Sequence, residues 1–161
     1  MAHGIMKNVD KGIVGLCEVY GGTWHSLKEY EQVNGPVPFD DVVKAIGYTV
    51  EKRQLHVANV NPDGTTTMTP TPDMFALVRT DSQIPVHKIS VSDEFEVYQN
   101  IDFLNEMQNG ILKSNPDLQI ESCGSLWGGK IAFVNFLLKK YRVKGDTSDT
   151  LSRLMYYKAF G

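Results

Sequence analysis

Residues Glu121–Lys144 read ESCGSLWGGKIAFVNFLLKKYRVK. Two apolar, strand-like runs flank Gly128-Gly129, which is the signature of a β-hairpin. The expected strands are Leu118–Trp127 and Lys130–Val143, paired antiparallel around a two-residue glycine turn. From Ser122 to Gly145 there is no acid, while Lys130, Lys139, Lys140, Arg142 and Lys144 supply bases. Trp127, Phe133, Phe136 and Tyr141 interleave with them.

Working outward, the pattern predicts an α+β fold. It is mainly antiparallel sheet with a long C-terminal hairpin and one or two packed helices. The 161 residues suit a single domain. Within it, 1–38 reads as irregular, 39–146 as the core and 147–161 as a tail. Asp40 is placed to cap a short helix that Gly47 stops. Tyr48–Val60 reads as a strand, Asn61-Pro62-Asp63-Gly64 as a turn and Thr65–Thr69 as a return across it. Pro70 and Pro72 are expected to interrupt that ladder. Phe75–Arg79 and Val86–Val91 read as further strands around a turn at 80–83. Asn100 is placed to cap a helix over Ile101–Lys113, with Ile101, Leu104, Met107 or Gln108, and Ile111 on one face. In the tail, Leu151, Leu154, Met155 and Lys158 fit helical spacing behind Ser148 or Asp149.

Composition bounds the chemistry. Net charge is -3, so a nucleic-acid partner needs a local basic patch. Residues 1–12 lack the apolar core of a signal peptide, and no apolar run reaches membrane-spanning length. Cys17 and Cys123 form no CxxC, so a reducing compartment is expected, with Cys123 a buried thiol. His3, His25, His56 and His87 are too scattered for a zinc site, and no cofactor is implied. Gly124–Lys130 matches the start of a phosphate-binding GxxxxGK loop. However, Ile131 stands where Ser or Thr should bind magnesium, and a strand is expected to follow instead of a helix. Asp40-Asp41 suits a helix N-terminus, and Asp93-Glu94-Glu96 suits a solvated loop. No catalytic constellation emerges, so a non-enzymatic role is expected.

The hairpin is the functional signal that remains. Single-stranded nucleic acid stacks bases on aromatics while cations follow its phosphates. That reading selects Trp127, Lys130, Lys139, Lys140, Tyr141, Arg142 and Lys144 as contacts. In the competing reading the aromatics face inward and the lysines solubilise the open end, and on the residues alone it carries more weight.

Several segments form a familiar set. Met1-Ala2-His3, Trp24-His25-Ser26-Leu27, Tyr48-Thr49-Val50-Glu51, Val78-Arg79-Thr80-Asp81, Glu96–Asn100 and above all Glu121–Lys130 resemble, in order, the phage/plasmid-like protein family classed as domain of unknown function 932. Ser26 and Lys28 depart from the two glycines of that family's early motif. The resemblance implies an origin in a mobile element and a location in the host cytoplasm, with no established reaction to transfer. It points to recombination or replication on single-stranded nucleic acid, or else to a structural, protein-interaction role. Family members usually run longer, so a strand edge or apolar patch left uncovered is expected. Self-association through the C-terminal segment or such an edge would follow.

Overall fold

The computed structural model describes residues 14–15, 36–142, 144–145, 147 and 150–160. Two antiparallel sheets and two helices form the expected α+β fold. The first sheet has the order β1 (Val14–Gly15), β5 (Gln119–Leu126), β6 (Ile131–Tyr141) and β7 (Thr150–Ala159). The second contains β2 (Val50–Val60), β3 (Thr66–Arg79) and β4 (Pro85–Val91) in chain order. Helix α1 is Phe39–Ile46, and α2 is Asn100–Glu106, continued by a π-helical turn over Met107–Leu112.

The hairpin is present, with Leu126 paired to Ile131 and Gln119 to Leu137. Its turn differs from the expected one. Four residues, 127–130, connect the strands, and three in succession have positive φ: Trp127 at 51°, Gly128 at 65° and Gly129 at 99°. The Lys130 N–H closes the turn on the Trp127 carbonyl at 3.3 Å. Because β6 and not a helix follows Gly129, the loop lacks the converging helix N-terminus that a phosphate site needs.

The tail is a strand, contrary to its helical spacing. β7 pairs with β6 from Ile131–Ala159 to Tyr141–Thr150. Alternation turns Tyr156 and Lys158 toward the core and Met155 and Tyr157 away from it, with Tyr156 stacked on Phe103 of α2 at 4.7 Å. Four residues at helical spacing in so short a run do not exclude a strand, and the neighbouring β6 decides the matter.

Both helix caps also differ. Pro38 precedes α1 and Gln99 precedes α2, and neither makes a side-chain cap; Asp40 and Asp41 lie inside the first turn of α1. Asn100 is fully buried and acts elsewhere. Gly47 does end α1, because an added Cβ would lie 2.3 Å from the Val43 carbonyl oxygen. Val42 and Ile46 of α1 pack with Phe103 and Leu104 of α2 and Met107 of the π turn against Leu77, Val86, Val134 and Phe136. Of the segment 1–38 read as irregular, Val14–Gly15 is a strand on β5 and 36–38 lead into α1; residues 1–13 and 16–35 lie outside the described residues.

Gly129 locks the two sheets together. A Cβ there would lie 2.8 Å from the Tyr48 hydroxyl and 3.0 Å from Arg79 Cδ, at a φ that side chains rarely adopt. Gly64 has a φ of 82° but open space around it. Gly129→Ala is therefore expected to cost about 3 kcal/mol and Gly64→Ala about 1 kcal/mol. Urea denaturation of both variants measures the difference, which reports the close approach alone.

Candidate interaction surfaces and the buried polar cluster

The residues selected from the hairpin do not form one patch. Trp127 and Lys130 sit at its turn, and Lys139, Lys140, Tyr141, Arg142 and Lys144 at its opposite end. The length of β6 separates the groups by roughly 30 Å. Phe133 and Phe136 between them are buried in the core, as the inward-facing alternative has it. Trp127 is 40% exposed, and Arg142 and Lys144 are exposed.

The bases and acids near the hairpin include ties internal to the fold. Glu121 of β5 is buried and accepts two hydrogen bonds from Arg153 of β7, at 2.5 and 2.7 Å, across the intervening β6. Asn135 donates to Ser122 Oγ at 2.9 Å inside the same sheet.

A second polar cluster joins the helices to β7. Asn100 Nδ2 donates to the Ile46 carbonyl at 2.8 Å, and its Oδ1 accepts from Lys158 Nζ at 3.0 Å. One buried amide thus ties the end of α1, the start of α2 and β7. Lys158 Nζ lies 3.4 Å from the Phe160 ring centroid and 5.3 Å from that of Tyr98. Burial pushes its ammonium down to about 7, with the charge of Asp102 pulling the other way. Nothing in the spacing of the tail announced this buried lysine. Only its place among Tyr157, Ala159 and Phe160 hinted that it lies in an apolar run.

β2 and β3 form a feature that the sequence reading did not single out. Beyond the pair Gln54–Phe75 the two strands leave the domain as an arm, with five further pairs from His56–Pro70 to Val60–Thr66. All ten residues are exposed. Pro70 and Pro72 do not end the ladder as expected. β3 runs through both, and the irregularity is taken up by residues 71–74, opposite the single residue Leu55. Alternation gives the arm two unlike faces. Ala58, Val60, Met68 and Pro70 make one face mainly apolar, with His56 and Thr66 also on it; Val60 is 76% and Met68 60% exposed. The other face carries Val57 and a ladder of Asn and Thr, with Asn59 bonded to Thr69 and Asn61 to Thr65, both at 2.9 Å. Between Arg53 and Asp73 the arm's only formal charge is Asp63.

The first sheet also ends in an uncovered strand. Among the described residues nothing pairs outside β7, and Leu154, Met155 and Tyr157 are exposed along it. A shallow open recess near its end is lined by Ser114, Asn115, Pro116, Leu118, Leu138 and Ser152.

Among the described residues no group of His, Cys, Asp and Glu is arranged to hold a metal ion. His56 is exposed on the arm and Cys123 is buried in β5. His3, Cys17 and Trp24–Leu27 lie outside the described residues. No described helix is long and apolar enough to cross a membrane. No family model, curated protein or solved structure matches the chain.

Lys158 gives the domain a readable pH response. Its unfolded value is the usual 10.5 and its folded value about 7, so between those limits the unfolded chain binds more protons. Stability then rises with pH across that window. Lys158→Met is expected to flatten the rise between pH 7 and pH 9. Urea denaturation at pH 7, 8 and 9 measures the slope, and an unchanged slope assigns the response to other groups.

Proposed function

We propose that the chain is a non-enzymatic, protein-interaction component of the mobile-element kind that its family resemblance implies, and that it engages protein through the β2–β3 arm. The observation that carries this reading is the arm itself, five strand pairs exposed on both faces with an apolar face open to solvent. Such a ribbon contributes little to the domain's own core, because an isolated two-stranded hairpin is marginal in water. Exposed apolar strand surface tends to be covered by a partner. Phosphate-directed binding draws on Lys and Arg, and the arm beyond Arg53 has neither. Proximity labelling inside cells tests the reading. A photoreactive phenylalanine derivative in place of Met68 is expected to yield protein adducts, and the same group in place of Asn109, an exposed residue of the π turn, is expected to yield none. Adducts to nucleic acid alone, or none from position 68, would overturn it.

A second reading, single-stranded nucleic-acid binding by the hairpin, is favoured by Trp127. A bulky residue at a φ of 51° is strained, and strain of this kind gathers at functional sites. Lys130 stands three residues on, and the indole is exposed. In this reading Trp127→Ala costs about 1–3 kcal/mol of affinity for a labelled oligonucleotide. Replacing Lys139, Lys140 and Arg142 with glutamine flattens the salt dependence. Fluorescence anisotropy at two salt concentrations measures both, and no binding at low salt rules the reading out.

A further inference from the structure

We infer that the open edge of β2 in the arm pairs antiparallel with the same edge of a second copy of this chain, closing a two-fold dimer; this rests on the reading of the arm as an interaction element. Backbone hydrogen bonds fix which way each residue of β2 faces. The Thr80 N–H donates to the Thr49 carbonyl at 3.0 Å, and the Asn61 N–H to the Thr65 carbonyl at 2.8 Å. Odd-numbered residues of β2 therefore turn their N–H and C=O groups toward β3, and even-numbered ones turn them outward.

Among the described residues, partners for those outward groups lie at the base. The Gln99 side-chain amide donates to the Val50 carbonyl at 2.8 Å and accepts from the Val50 N–H at 2.9 Å, standing in for one residue of a neighbouring strand. At Gln54 the carbonyl lies 3.1 Å from His56 Nδ1. Past that point, His56, Ala58 and Val60 present a regular edge with no proline and no formal charge. Edges of this kind invite another strand.

The opposite edge is broken at its root. Pro70 lies opposite His56, where the N–H of β3 would turn outward, and it has none to offer. Outward N–H groups remain on that edge only at Thr66 and Met68, so the β2 edge is the longer of the two. Unequal edges favour closing on a partner over growing into a fibre.

Charge placement selects a second copy as that partner. The base of β2 carries Lys52 and Arg53 against Glu51, and the tip carries Asp63. Lys52 is held by Asp93, and Arg53, which bonds Glu51 and Gln83, is the last cation before the arm. Antiparallel pairing sets the Arg53 end of each arm beside the Asp63 tip of the other. A two-fold axis at Ala58 keeps outward groups opposite outward groups and brings Arg53 of each chain toward Asp63 of the other.

Sedimentation equilibrium of the full chain tests this. The expected result is a reversible dimer. Ala58→Pro removes an outward N–H while leaving the inner ladder intact, as Pro70 does on β3. It should weaken dimerisation at least about tenfold at unchanged Tm. Thr66→Pro, the same change on the β3 edge, should leave it unaltered. Arg53→Asp should weaken the dimer, and adding Asp63→Arg should restore it. A monomer at about 100 µM, or a dimer indifferent to Ala58→Pro, would overturn the inference. Adducts from position 68 to a different protein, found together with a monomer in sedimentation, would sustain the arm's role while removing the second copy.

Discussion

Arg79 is the point on which the two sheets depend. Its side chain is wholly buried at the end of β3, and its guanidinium lies 3.7 Å from the Tyr48 ring centroid. Two of its nitrogens donate to Asp81, at 3.0 and 2.5 Å. Burial pushes the Asp81 carboxyl up, but the hydrogen bonds and charge of Arg79 outweigh it and hold the group below its ordinary range. Tyr48, stacked under the cation, donates its hydroxyl to the Gly129 carbonyl at 3.1 Å. The chain of contacts thus runs from the second sheet to the hairpin turn of the first. A buried cation deprived of its partner is costly, which makes this joint an all-or-none element.

That joint explains the form of the hairpin turn. A two-residue turn would have been shorter, but the Gly129 carbonyl must reach Tyr48 while its Cα passes close to Arg79. Three successive left-handed residues make that approach, and a tryptophan is one of them. The strain at Trp127 is thus bound up with how the sheets are joined, and its exposed ring is a consequence of the same geometry.

The sequence made much of this architecture legible, and the exceptions share a cause. Glycine and proline punctuation located α1, the hairpin and the Asn61–Gly64 turn, because those signals act through local backbone conformation. Phe133 and Phe136 are both buried although alternation along β6 turns them to opposite faces, which the sequence pattern alone did not separate. The tail's helical spacing is a local property, whereas β7 exists through pairing with β6 along its length. Asn100 and Asp40 look like caps by position, but Asn100 is drawn instead into a buried contact with Ile46 and Lys158, which no local pattern encodes. The bases of 130–144 are adjacent in sequence, but along a strand that adjacency becomes distance. The arm's two strands and turn were legible, but its prolines suggested an interruption where β3 in fact runs on through both.

The alternation of β2 and β3 sets a rule for how the arm can vary. Its faces differ, one apolar and one a ladder of Asn and Thr, and side chains change face at every residue. Inserting or deleting whole dipeptides on both strands at once would keep the faces, whereas any odd step would exchange them and move Pro70 to the inner ladder. Residues 71–74 absorb mismatch at the root, so such changes need not reach Arg79. The arm is in effect a ruler graduated in units of about 7 Å, whose length can drift while the domain beneath it stays constant.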